Sequence, residues 1–111
     1  ETGKRLLQSD TVRREWPFNV RMKVEEAFGD AAHARYGGGE VLVQGTVDCC
    51  FIEDGQWVLM DYKTDRGDAQ TLRERYRPQL SVYALALERI TGIPVREKLL
   101  CLMGQAQTVE V

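Results

Sequence analysis

The stretch Val43-Gln44-Gly45-Thr46-Val47-Asp48-Cys49-Cys50-Phe51-Ile52-Glu53-Asp54-Gly55-Gln56-Trp57-Val58-Leu59-Met60-Asp61-Tyr62-Lys63-Thr64 decides the fold. Asp54-Gly55 separates two runs of β-forming residues. An Asp-Gly loop suits a type I′ turn, where both central positions need positive φ. With that loop set, Glu53 pairs with Gln56, Asp48 falls across from Asp61, and Thr46 across from Lys63. Side chains alternate along a strand, so Asp48, Asp61 and Lys63 share one face. The other face carries Val43, Val47, Cys49, Phe51, Val58, Met60 and Tyr62, an apolar surface in need of a cover.

Directly opposed strand residues have Cβ atoms about 5 Å apart, and like charges there repel. A divalent cation between the two aspartates removes that repulsion. Ligation by oxygen alone, with one or two carboxylates and several waters, suits Mg²⁺, with Mn²⁺ as an alternative. Lys63 is then placed to orient an attacking water or to offset charge on a phosphate. The competing reading is a solvated polar hairpin face, the usual fate of a single strand aspartate. Two opposed acids with a lysine beside them favour the metal site.

The chain has 111 residues, 43% apolar and 29% charged, which is the make-up of one ordinary globular domain spanning 1–111. No apolar run reaches membrane-span length and no segment resembles a signal peptide, which points to the cytoplasm and to no membrane partner. The first residue is Glu1 rather than methionine, which points to a piece of a longer protein. A net charge of −2 weighs against a stand-alone nucleic-acid binder, but not against an enzyme that reaches phosphates through cations. Arg13-Arg14 and Arg73-Glu74-Arg75-Tyr76-Arg77 read first as solvated faces and second as phosphate contacts. Cys49, Cys50 and Cys101 show no Cys-x-x-Cys spacing, so neither zinc nor an iron–sulfur cluster is expected, and buried free thiols are.

Outward from the hairpin, Trp16, Phe18, Val20 and Met22 alternate along a strand over 14–22, and Pro17 puts it at an edge or a strand start. Residues 29–40, with Gly29, Gly37, Gly38 and Gly39, read as a flexible loop holding His33. Gly45 marks a bulge or a close backbone approach. A helix from about Pro78 to Ile90, with proline at its first position and Thr91-Gly92-Ile93-Pro94 as its stop, is expected to cover the apolar face of the hairpin. Residues 69–77 form a separate helical turn in this reading. Gln79 and Tyr83, four apart, point together. Tyr83 is either a core aromatic or a site residue, and Gln79 binds either backbone near the site or substrate. Val95–Leu102 is a strand reached by a crossover helix and so parallel to the strand of Lys63. Residues 107–111 either extend it or pair as another strand.

Gly45-Thr46-Val47-Asp48, Asp61-Tyr62-Lys63-Thr64 and Gln79-Leu80-Ser81-Val82-Tyr83, in that order, resemble the motifs of the PD-(D/E)XK nuclease superfamily in its RecB-like branch. Arg14-Glu15-Trp16-Pro17-Phe18 and the segment Leu99 to Val111 are similar to the C-terminal nuclease domain of AddA-type helicase–nuclease subunits, so the resemblance covers nearly all of the chain. It implies an α/β, restriction-endonuclease-like mixed β-sheet (strand, hairpin, crossover helix, strand) flanked by helices and truncated at its N-terminus. It implies Asp48 and Asp61 as metal-binding acids, the Tyr62 backbone carbonyl as a further ligand, and Lys63 as the catalytic lysine. Gln79 and Tyr83 match the helix motif that borders the site and helps to bind DNA. Glu15 stands where relatives carry an acid on the first strand. The branch also uses a histidine on a helix upstream of that strand; His33 follows the strand and is not assigned the role.

The activity implied is Mg²⁺-dependent hydrolysis of DNA phosphodiesters, leaving 5′-phosphate and 3′-hydroxyl ends. The context implied is the exonuclease domain of an ATP-dependent helicase–nuclease in double-strand-break repair and recombination. Its partners would be single-stranded DNA, the helicase region of the same parent chain, and a second, AddB-like nuclease/helicase subunit. The alternative is a catalytically silent nuclease-fold module that binds DNA or a partner subunit.

Overall fold

Asp54 and Gly55 adopt φ of 53° and 76°, the paired positive values that the turn demands. They join β2 (Glu40–Glu53) to β3 (Gln56–Lys63), paired antiparallel from Glu53↔Gln56 to Cys49↔Met60. The computed structural model describes residues 2–111, apart from the side chains of His33 and Tyr36. Around the hairpin lie α1 (Thr2–Gln8), β1 (Val12–Lys23), α2 (Val24–Phe28), α3 (Asp30–Tyr36), α4 (Ala69–Thr91), β4 (Val95–Leu102), a 3-10 turn (Met103–Gln105) and β5 (Gln107–Glu110).

The sheet order is β1-β2-β3-β4-β5, with β3 and β4 parallel and every other pairing antiparallel. The mixed sheet expected from the sequence is therefore present, and residues 107–110 pair as a strand of their own. β1 is an edge strand, which accommodates the missing N–H of Pro17. The parallel pair follows from α4, which carries the chain back past the sheet before β4 starts.

Four expectations need correction. Residues 29–40 are not one loop: Asp30-Ala31-Ala32-His33-Ala34-Arg35-Tyr36 is helical, and only the flanking glycines stay outside α3. Three alanines and an acid in the first turn favour a helix there.

Pro78 does not start a helix. α4 runs unbroken through it, capped at one end by Asp68, which accepts from the Thr71 N–H at 3.0 Å, and closed by Gly92 at φ 73°. Leu72 on one side of the proline and Leu80, Ala84 and Leu87 on the other pack into the same core, and this shared burial outweighs the one backbone hydrogen bond lost.

The helix also covers the other face of the hairpin from the one expected. Leu72, Leu80, Ala84 and Leu87 meet Cys50, Trp57 and Leu59, on the face that carries Asp61 and Lys63. Cys49, Phe51, Val58 and Met60 pack on the opposite side with Leu6 of α1. Strands beside a parallel partner are buried on both faces, and Trp57 to Asp61 are all buried.

Finally, neither Asp48 with Asp61 nor Thr46 with Lys63 forms a ladder pair; the β2–β3 ladder ends at Cys49↔Met60. Val47 joins the α4-side core whereas Cys49 faces the other way, so the alternation slips by one residue at Asp48. The same slip occurs in β1 between Val12 and Trp16, around Glu15, whose φ is 48°. Arg14↔Cys49 and Trp16↔Val47 flank that point, which puts Glu15 level with Asp48.

Beyond the slip, β1 and β2 continue as a ribbon to Lys23↔Glu40 and pack Phe18, Val20 and Val43 against Val82 and Ala86 of α4. Gly45 is needed for a close approach: a Cβ there would sit 2.8 Å from the Phe18 ring and 3.0 Å from the Tyr83 hydroxyl. No helix among the described residues is long and apolar enough to cross a membrane.

Candidate active site

At the end of the paired hairpin, Asp48 breaks from the strand pattern. Its Oδ2 accepts a hydrogen bond from the Tyr62 backbone N–H at 2.8 Å. A side chain thus takes a donor that a neighbouring strand would otherwise use, and the strands separate there. Asp61 is the one buried charged side chain among the described residues, 3% exposed, with its carboxyl within hydrogen-bonding reach of that of Asp48. Lys63, two residues on and on the same face, brings its Nζ to 3.2 Å from Asp61 Oδ2.

Burial pushes the Asp61 carboxyl up to about 6; the neighbouring Asp48 adds to the shift and Lys63 opposes it. Despite its closeness to Lys63, the buried Asp61 Oδ2 receives no aligned hydrogen bond. Desolvated, crowded by a second acid and short of a donor, this oxygen is in the position of a ligand for a hard cation. Among the described residues no three His, Cys, Asp or Glu side chains converge, so the side-chain donors here are the aspartate pair.

Gln79 and Tyr83 come together as their spacing on α4 predicts, with Gln79 Nε2 donating to the Tyr83 hydroxyl at 3.3 Å. The Tyr83 ring meets Phe18 edge-on at 5.1 Å, over Gly45. Tyr83 is therefore half core aromatic and half polar tip, and Gln79 binds that tip rather than backbone. Glu15 is exposed and adds no third acid to the pair. His33 falls on α3, and its side chain lies outside the described residues.

Cys49, Cys50 and Cys101 are buried and unpaired, and Cys49 and Cys50 face opposite cores. Of the basic clusters, Arg75 binds Asp65 at 3.0 Å, Arg73 binds Gln70 at 3.0 Å, and Arg13 lies over the Trp16 ring.

One neighbour of Lys63, and the residue that neighbour binds, escape the reading of the sequence. The Lys63 Nζ sits 4.6 Å from the centroid of the Tyr76 ring, and the Tyr76 hydroxyl donates to Asp65 at 2.8 Å. Tyr76, Gln79 and Tyr83 are three and four residues apart, one stripe of a continuous helix. A helix begun at Pro78 leaves Tyr76 off that stripe.

Comparison with known proteins gives the family. The family model described as the PD-(D/E)XK nuclease superfamily matches residues 2–110. The AddA-type ATP-dependent helicase/nuclease subunit of Acetivibrio thermocellus is 46% identical over 99 residues, covering 86% of this chain and 8% of that protein. The proteins of the same name from Clostridium novyi and Ruminiclostridium cellulolyticum are 38% and 40% identical over 112 residues, each covering 98% of this chain and 9% of the relative. The chain thus spans less than a tenth of the length of these relatives. Because the family match takes in every strand of the sheet and the helix above it, the chain belongs to the PD-(D/E)XK nuclease superfamily.

Proposed function

We propose that the chain is the nuclease domain of an AddA-type ATP-dependent helicase/nuclease, where it hydrolyses DNA phosphodiester bonds with the help of a divalent cation. The observation that carries this reading is the facing pair Asp48 and Asp61, one of them buried, with Lys63 Nζ 3.2 Å from Asp61. Burying Asp61 beside a second carboxylate has no structural benefit of its own: the two repel, and an apolar residue in its place would be more stable. The matched relatives are named helicase/nuclease subunits, which supports the same assignment.

Asp48, Asp61 and the Tyr62 backbone carbonyl would hold the cation, an all-oxygen set suited to Mg²⁺, with Mn²⁺ as a substitute. When bound, the metal supplies Lewis acidity toward the scissile phosphate and toward water. Lys63 acts as the catalytic lysine: its ammonium stands beside the acid pair, where the attacked phosphate gains negative charge. Gln79 and Tyr83 present an amide and a phenol to the substrate strand from α4. Glu15, level with Asp48 on the edge strand, supports the site through the backbone break it shares with that acid.

In this reading residues 1–111 form one RecB-like domain of a longer cytoplasmic protein. Its helicase region feeds single-stranded DNA to the site for exonucleolytic cleavage in double-strand-break repair, alongside a second, AddB-like subunit. The test is cleavage of single-stranded DNA with Mg²⁺ or Mn²⁺, by the parent chain and by this chain. Asp61→Ala and Lys63→Ala are expected to lower the rate about a hundredfold or more while circular dichroism is unchanged. Cleavage that survives both substitutions overturns the assignment, and metal-dependent DNA binding without any cleavage points to a silent module instead.

A further inference from the structure

We propose that Tyr76 is a positioning residue for Lys63: its ring face, braced through Asp65, holds the lysine ammonium at the acid pair. The inference rests on the reading of Lys63 as the lysine of the reaction. A lysine side chain is a point charge on a flexible four-carbon stem, so its usefulness depends on what fixes its end. Lys63 is the last residue of β3; its backbone is paired with Leu102, but the ladder does not fix the end of its side chain. Its Nζ lies between two groups, with Asp61 Oδ2 at 3.2 Å on one side and the Tyr76 ring centroid at 4.6 Å on the other. The second distance falls within the range in which an aromatic face attracts an ammonium.

The two partners are not equivalent. An ammonium held by Asp61 alone would lose its anchor whenever that carboxylate engaged another cation. The ring carries no formal charge, competes for no metal and keeps its hold in either state.

Tyr76 is itself braced. Its hydroxyl donates to Asp65 at 2.8 Å, and Arg75 binds the same carboxylate oxygen at 3.0 Å. The loop bearing Asp65 is clamped in turn by the turn after β4. Gln105 accepts from the Gly67 N–H and donates to the Gly67 carbonyl, both at 3.0 Å. Gly104 packs so close that a Cβ there would lie 2.7 Å from the Thr64 carbonyl oxygen. The supports thus run from the end of β4 through the loop to Asp65, then to the ring and to Lys63. None of them is a candidate metal ligand.

The experiment compares Tyr76→Leu, Tyr76→Phe, Asp65→Asn and the double variant Tyr76→Phe/Asp65→Asn in the parent helicase–nuclease, with Lys63→Ala alongside. Tyr76→Leu is expected to lower kcat about tenfold with KM within about twofold, because a chemical group is mispositioned while DNA contacts persist. Tyr76→Phe keeps the ring and should lose only about two- to threefold, as should Asp65→Asn. The double variant should be no worse than Tyr76→Phe alone, since Asp65→Asn only weakens the hydrogen bond that Tyr76→Phe removes.

Acetylation read peptide by peptide supplies a measure independent of cleavage. Lys63 should react about threefold faster in Tyr76→Leu than in the unaltered protein, with Lys4 and Lys98 unchanged. A Tyr76→Leu protein that raises KM alone, or that leaves kcat and Lys63 acetylation unchanged, overturns the proposal. Should Tyr76→Leu fail to fold, the Phe/Asn pair decides, and losses that multiply in the double variant refute the brace. Normal cleavage by Lys63→Ala would instead refute the role of Lys63 itself, while the acetylation rates still report on the ring.

Discussion

Asp61 concentrates the cost of the site in one side chain. Burial first, and Asp48 second, raise its carboxyl to about 6, against the pull of Lys63. A carboxyl whose folded value lies above its unfolded value of 3.8 favours the folded state most below 3.8 and loses that contribution as pH rises through about 6. Asp61→Asn should therefore stabilise the metal-free chain by roughly 3 kcal/mol at pH 7.5, with the advantage mostly gone by about pH 4 and absent by about pH 3. Thermal melts of both proteins in chelator across that range check it, and a gap that stays constant with pH would sink it. The hairpin register as far as Cys49↔Met60 was legible because a two-residue turn sets it. The backbone break at Glu15 and Asp48 was not, since a positive φ at Glu15 leaves no mark on residue type.

The long helix is where local chemistry and tertiary packing disagree. Proline lacks the N–H that an interior helical position would donate, and its ring crowds the preceding turn, so a boundary at Pro78 is the sound local inference. The helix nevertheless continues because Leu72 and Tyr76 before the proline and Leu80 and Tyr83 after it face the same sheet. Pro78 is exposed, so replacing it restores a hydrogen bond without touching the core. Pro78→Ala is expected to stabilise the chain by about 1–3 kcal/mol in urea titration, with cleavage unchanged. A loss of stability would show that the proline shapes the helix to fit the sheet. Strand β4 and the stop at Gly92 needed no such override, because their signals and their packing coincide.

Across the whole molecule, Arg5 ties distant elements together. Its guanidinium binds Glu53 at the hairpin end at 2.8 Å and also Glu97 of β4, while Arg96 joins Glu53 from the other side. The Arg5 hydrogen bond holds the Glu53 carboxyl down at about 2. A depressed carboxylate contributes stability above its ordinary value of 4.5 and loses it as pH falls from there toward 2. The protection of α1 amides, relative to their intrinsic exchange, should thus fall between pH 4.5 and about 2.5 ahead of that in β3, and Arg5→Ala should produce the same loosening at neutral pH. Equal protection of α1 in both proteins would refute this.

The amino-acid sequence by itself determined the turn, the hairpin register beside it, the parallel return to β4 and the order of the acid, lysine and Gln-x-x-x-Tyr positions, because each depends on residues close in the chain or on a short periodicity. Only the tertiary structure decided which hairpin face α4 covers, that the helix passes through Pro78, and that Tyr76 meets Lys63. Those outcomes depend on which surfaces bury each other across many residues, and local conformational preference does not encode that competition.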